Sequence, residues 1–229
     1  AEYQRQLLQV ARRVGAVIGM LAPHGPTAAS ADAITRLLER YAETLTGWAE
    51  TAALKMLRAV NKQDRKAWMA HSQEMGRQLA REIAETPTGA LFQNRLADQV
   101  GLIKSLPLEA AQRVHNLTTE ALVDGTRAAE IAEQIGKSGE VTASRARLIA
   151  RTEVSRTASM LVEARAAGAG SEGYIWRTAG DGDVRDSHKE MNGTYIRWDT
   201  MPTLSDGTTT HAGQIYNCRC YPEPVIPED

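Results

Sequence analysis

The stretch Ala166–Gly173 reads AAGAGSEG, and the chain follows different rules on its two sides. A row of small residues and glycines has little to pack with, so it marks a hinge or loop between structured segments. Before it, apolar residues recur every three or four positions; after it come short β-branched and aromatic runs separated by Gly, Asn and Asp. Aromatics make up 5% of the chain, yet Tyr174, Trp176, Tyr195, Trp198, Tyr216 and Tyr221 all lie beyond the hinge. Charge changes as well: residues 181–229 hold nine acids against four bases, in a chain whose formal charge is −1. This pattern predicts an α+β chain with a mostly helical N-terminal body and a small, turn-rich α+β C-terminal cap.

With 229 residues, 42% of them hydrophobic, the chain can bury one sizeable core or two small ones. No run approaches the ~18 apolar residues of a membrane span, and Ala1–Gln9 lack the basic and then apolar pattern of a secretory signal. Starting at Ala1 without an initiator Met, the sequence reads as a trimmed fragment. Near-neutral charge gives no support to wholesale coating of nucleic acid or of an anionic membrane. The two cysteines, Cys218 and Cys220, are one residue apart, and a disulfide at that spacing closes a strained ring. They read as reduced thiols, free or on a metal.

Leu7, Val10, Val14, Ile18 and Leu21 predict a first helix, stopped by the HGPTAAS stretch from His24. Ile34, Leu38, Tyr41, Leu45, Trp48 and Ala52 form the stripe of a second helix opening near Ser30 or Asp32. A third is indicated by Trp68, Ser72, Met75, Leu79 and Ile83, up to the TPTG turn at Thr86–Gly89. Another follows Pro107, carries Leu108, Ala111, Val114, Leu117 and Ala121, and ends at Gly125. Thr126 can cap a short helix with Ile131 and Ile135, which a KSGE turn at Lys137–Glu140 separates from a helix over Thr142–Ala167. Ala146, Ala150, Val154, Ala158 and Leu161 line one face of that last helix; Arg147, Arg151 and Ser155 line another. Beyond the hinge, Tyr174–Arg177 and Thr194–Trp198 read as strands, Asn192-Gly193 as a tight turn, and Cys218–Pro222 as an edge strand, since Pro222 cannot donate to a ladder.

RLIARTEVSR at Arg147–Arg156, the spaced Trp176, Asp181, Arg185, His188 and Gly193, and the Asn217-Cys218-Arg219-Cys220 run occur in an order that resembles the phage Mu F-type minor head protein family, also called the phage head morphogenesis family. GTRAAEIAEQI upstream resembles the family's preceding helix. The resemblance covers roughly Leu108–Pro222, and residues 1–105 carry no motif of it. Residues 1–106, whose amphipathic stripes outnumber what a small cap could cover, are expected to form a helical docking region. The resemblance implies a head morphogenesis domain over 107–229, with helices at 107–167 and a cap at 174–222. It further implies a minor structural protein of a tailed-phage head, interior or at the portal vertex, that acts in head assembly and in DNA packaging or delivery without catalytic activity. Implied partners are the portal, major capsid or scaffolding proteins and packaged DNA, with no membrane; the implied location is the virion, and the host cytoplasm during assembly. Arg151 and Glu153, the family's RTE residues, are expected to anchor their helix to the cap.

Some relatives carry a CxxC pair where this chain has Arg185 and His188, and a histidine where it has Asn217. Here zinc, the candidate cofactor, would draw on His188, Cys218 and Cys220, with Asp181 or His211 as the fourth ligand. The plainer expectation has the cysteines as small buried apolar groups and His188 hydrogen-bonded across the Asp181–Gly193 turn. Asp181 and Arg185 can pair across that turn. A hydrolase reading, metal-dependent around His188 or with Cys218 as nucleophile, lacks a visible second catalytic partner and a nucleophile elbow. Arg145, Arg147 and Arg151 could contact nucleic-acid phosphates, but Glu153 and Glu163 interrupt the arginine series, and a solvated, salt-bridged face is the simpler expectation.

Overall fold

A computed structural model describes residues 1–21, 28–75, 89–124 and 128–227. Helices α1 (Glu2–Leu21), α2 (Ala28–Thr44), α3 (Thr46–Met75), α4 (Gly89–Asp124) and α5 (Ala128–Gly168) come first. They are followed by β1 (Gly173–Arg177), a short helix α6 (Asp186–Glu190), β2 (Tyr195–Arg197) and β3 (Tyr221–Val225). The change from long helices to a small sheet therefore falls at the Gly/Ala/Ser hinge. Among the described residues no helix is long and apolar enough to cross a membrane. The chain divides into two compact units, Ala1–Lys55 with Leu96–Ala150, and Met56–Arg95 with Arg151–Asp229.

In the first unit, Val14 and Ile18 of α1, Ile34 and Leu38 of α2, Ala110 and Val114 of α4, and Ile131 and Ile135 of α5 form one buried cluster. The buried Tyr3 hydroxyl donates to Gln99 Oε1 at 2.6 Å. The KSGE segment is helical, not a turn, and α5 passes through it as one 41-residue helix. Gly139 is there for proximity: a Cβ on it would lie 3.1 Å from the Cα of Gly15, so α1 and α5 meet backbone to backbone. Thr142 Oγ1 donates to Ser138 O at 2.7 Å inside the same continuous helix.

Two other helix boundaries differ from the expectations. The stripe through Ala52 is broken at Leu45, whose N–H reaches back three residues to Ala42 O at 3.3 Å. The hydroxyls of Thr44 and Thr46 donate to Tyr41 O and Glu43 O, carbonyls that a continuing helix would use. Trp48 and Trp68, expected on separate helices, share α3. Pro107 lies within α4 instead of opening it. Proline removes one helical donor, a loss of ~3 kcal/mol in a helix interior. Burial of Ile103, Leu106, Ala110 and Ala111 on both sides of Pro107 holds the helix through it. The stops read at residues 22–27, 76–88 and 125–127 lie outside the described residues.

In the second unit the sheet has the antiparallel order β2-β1-β3. Trp176 stands opposite Pro222 and Tyr174 opposite Pro224, which places both prolines on an edge strand, as their missing N–H requires. The core of the cap is Tyr174, Trp176, Val184, Ile196, Leu204, Ala212, Cys218 and Cys220. Trp68 is buried in a satellite cluster with Ala166, Val162, Trp198 and Ile226.

Candidate functional site

The cap is fastened by a polar ladder on α5. Asn217 N–H donates to Thr152 Oγ1 (3.2 Å), Ser155 Oγ to Cys218 O (3.3 Å), Arg156 Nε to Gln214 O (2.7 Å) and Ser159 Oγ to Ala212 O (2.7 Å). Positions 152, 155, 156 and 159 lie on one face of an α-helix. The partners are all backbone atoms of residues 212–218, so the ladder fixes the path of the chain into the cysteines. Thr152, Glu153, Thr157 and Ser159 are buried, whereas Val154, expected on the apolar face, is exposed. The spacing of Thr152, Ser155 and Ser159 was visible in the sequence, but an apolar periodicity search passes over it.

Glu153 is buried between two arginines, accepting from Arg95 and, at 3.2 Å, from Arg156 Nη1. Arg156 thus links the acidic residue of the RTE motif to Gln214. Arg165 makes a second buried ion pair, with Asp64, and donates to Asn61 Oδ1 at 2.6 Å. Arg147 and Arg151 are exposed, while Arg145 meets the Glu109 carboxylate with two bonds of 3.1 Å.

The motif residues of the cap converge. Trp176 is fully buried in β1, its N–H on Thr194 O (2.9 Å) and its carbonyl accepting from Gly193 N–H (2.8 Å). Gly193 has φ +86°, a conformation that only glycine adopts freely, so the Asn192-Gly193 turn stands as read. Asp181 does not pair with Arg185. Both its oxygens accept from Arg219, at 2.6 and 2.7 Å, which draws them away from the cysteines. Arg185 donates instead to Tyr216 O at 3.1 Å and lies 5.2 Å over the Tyr216 ring. His211 is a partner of Tyr174, Nδ1 to hydroxyl at 3.1 Å, in a pocket where burial pushes the tyrosine up to about 12.

His188, on α6, faces both cysteines. Its Nδ1 lies 3.3 Å from Cys220 Sγ and 3.5 Å from Cys218 Sγ, and all three side chains are buried. Cys220 N–H donates to Cys218 Sγ at 3.4 Å. The Cys218 thiol is pushed down to about 5 because its sulfur accepts from the Cys220 side chain and from the backbone of Cys220 and Gly213, which together outweigh burial. Cys220 is pushed up by the same hydrogen bond to Cys218, with burial adding to it. Asn217, just before, sits at φ +55°, the left-handed region that asparagine tolerates better than most residues, and this turns Cys218 inward. Among the described residues the grouped metal-type donors are His188, Cys218 and Cys220; neither Asp181 nor His211 joins them.

The opening beside these sulfurs is a cleft of about 100 Å³ lined by Asp183, Val184, Arg185, Asn217 and Arg219. That is well below the ~300–1,000 Å³ of ordinary small-molecule sites. The arrangement suits holding a small ion or closing the cap better than attacking a bulky substrate.

Three comparisons bear on these residues. An uncharacterized protein of Haemophilus influenzae is 30% identical over 205 residues, which are 88% of this chain and 45% of that protein. The chain thus spans less than half the length of this relative. No solved structure matches. Residues 112–222, which include the RTE helix, the Trp176–Gly193 segment and the cysteine pair, match the model of the phage Mu protein F-like family, a family of bacteriophage head morphogenesis. Over those residues the chain is similar to the phage Mu protein F-like family, which supports the resemblance carried by the motif residues.

Proposed function

We propose that this chain is a minor structural protein of a tailed-phage head, held in the capsid interior or at the portal vertex, where it acts in assembly by docking and not by turnover. The observation that carries this reading is how the motif residues are engaged. Asp181 holds Arg219, Arg185 holds the Tyr216 carbonyl, Glu153 holds Arg156, and Trp176 fills the core. Asp181, Arg185 and Trp176 hold the cap together, and Arg156, through the Gln214 carbonyl, ties the cap to α5, so each of these motif residues has a structural task. We assign docking to residues 1–106 and the head morphogenesis domain to 107–229, with portal, major capsid or scaffolding protein as partner. A place at the vertex would also bring the protein beside DNA during packaging and delivery.

The test is incorporation into particles. Deleting residues 1–105 would remove Arg95 from Glu153, so substitutions are cleaner. Met20, Leu37, Leu108 and Val141 are exposed apolar side chains of the first unit. Changing Met20 and Leu37 to aspartate should lower the copies found in purified heads while the isolated protein keeps its helical circular dichroism. His188→Ala should loosen the cap without removing a measurable hydrolysis. Normal incorporation of the aspartate variant would overturn the docking assignment. A hydrolytic rate lost with His188 in a still-folded cap would favour the enzyme reading.

A further inference from the structure

We propose that His188, Cys218 and Cys220 form a three-ligand site for a borderline-soft divalent cation of the zinc class. The edges of the group fit such an ion. For Zn–S of ~2.3 Å and Zn–N of ~2.0–2.1 Å in tetrahedral coordination, nitrogen and sulfur ligand atoms lie ~3.5 Å apart. His188 Nδ1 is 3.3 and 3.5 Å from the two sulfurs, and all three donor atoms lie within 4.8 Å of one another.

The alternative is a hydrogen-bonded cluster. One Nδ1–H can point straight at only one sulfur, yet two sulfurs face it at nearly equal distance. A cation at the centre satisfies all three donors at once. The Cys220 N–H bond to Cys218 Sγ is an outer-shell contact of the kind that orients a metal ligand. Two thiolates and one imidazole select a soft or borderline ion over magnesium or calcium.

The ligands also come from the right places. His188 lies on α6, and the cysteines lie at the entrance to β3, about 30 residues later in the chain. A small apolar core and exposed polar contacts join these segments, and a metal staple is a common supplement in such caps. The three ligands line, with Asp183 and Asn217, a cleft of about 100 Å³, ample for a water as fourth ligand, which needs ~10–15 Å³ of such space. A divalent ion there takes its ligands as two thiolates and a neutral imidazole, so binding releases protons and strengthens as pH rises.

The test uses the whole chain, reduced, stripped with chelator and titrated with Co²⁺ without oxygen. The expected result is a thiolate-to-cobalt charge-transfer band that saturates at one equivalent, accompanied by tetrahedral d–d absorption and bleached by Zn²⁺. Cys218→Ser and Cys220→Ser should each remove about half the charge-transfer intensity. Each of them, and His188→Asn, should weaken Zn²⁺ binding by more than the ~10–100-fold typical of losing an outer-shell partner. His211→Asn should leave the spectrum unchanged. Reduced wild-type protein that shows no charge-transfer band would overturn the site, and this outcome requires no variant to fold. A band that survives in the Cys218→Ser/Cys220→Ser double variant, or Zn²⁺ affinity unchanged by His188→Asn, would overturn the ligand assignment.

Discussion

Gly136 and Gly139 lie three residues apart in α5 and should respond oppositely to enlargement. A Cβ on Gly136 meets nothing within 4 Å, whereas one on Gly139 lies 3.1 Å from the Cα of Gly15 in α1. Gly136→Ala therefore only removes the entropic penalty of glycine in a helix and should stabilise the protein by ~1 kcal/mol. For a chain of this size that is a rise in melting temperature of ~2–4 °C. Gly139→Leu introduces a good helix former, so any loss arises from packing and not from propensity. Its side chain must displace the α1 backbone, a change that costs ~1–3 kcal/mol in a filled core. The assay is urea unfolding followed by circular dichroism at 222 nm, with Gly15→Ala as a control that should gain a similar ~1 kcal/mol of helix propensity, since its Cβ would lie at an ordinary 3.7 Å from Gly139. A Gly139→Leu protein as stable as wild type would refute the close helix contact. A destabilising Gly136→Ala would refute the continuous helix.

Three further outcomes follow from the second unit. Glu153→Ala leaves the buried Arg95 without its carboxylate and should cost ~3–5 kcal/mol in urea unfolding, whereas a loss below ~1 kcal/mol would mean that the pair is solvated. Gly213→Ala should unfold the cap, because the residue has φ +78° and a Cβ there would lie 2.3 Å from Ser159 Oγ; a native near-ultraviolet spectrum would contradict this. Burial holds the His211 imidazole below its usual range, so the folded state binds fewer protons than the unfolded state. That contribution is full above the unfolded value of ~6.5 and is lost as pH falls through it. Wild type should lose more stability than His211→Asn between pH 7.5 and 5.5, and equal losses would contradict the assignment.

The hinge at 166–173 was legible because composition itself changes there, and composition survives whatever the tertiary structure does. Helix ends were less legible. Lys137–Glu140 has the letters of a turn, but Gly139 serves a helix crossing, and only knowing that Gly15 lies opposite distinguishes the two uses. Pro107 has the letters of a helix start, yet the buried residues around it outweigh its missing hydrogen bond. The meeting of His188 with the cysteines followed from the order of motif pieces; no local spacing encodes a contact across 30 residues. The ladder of Thr152, Ser155, Arg156 and Ser159 escaped notice because its partners are backbone atoms, which carry no letter in the sequence. The pairing of Asp181 with Arg219 instead of Arg185 likewise depends on the path of the 212–220 segment.

The central claim, a structural place in the phage head, is tested most directly by an asymmetric reconstruction of procapsids from the phage or prophage that encodes the chain, compared with particles lacking it. The expected result is difference density for a helical body and its cap inside the shell or against the portal, with the protein present in few copies by quantitative mass spectrometry of the same particles. Particles with no such density and no peptides of the chain, alongside abundant free protein in the lysate, would contradict it.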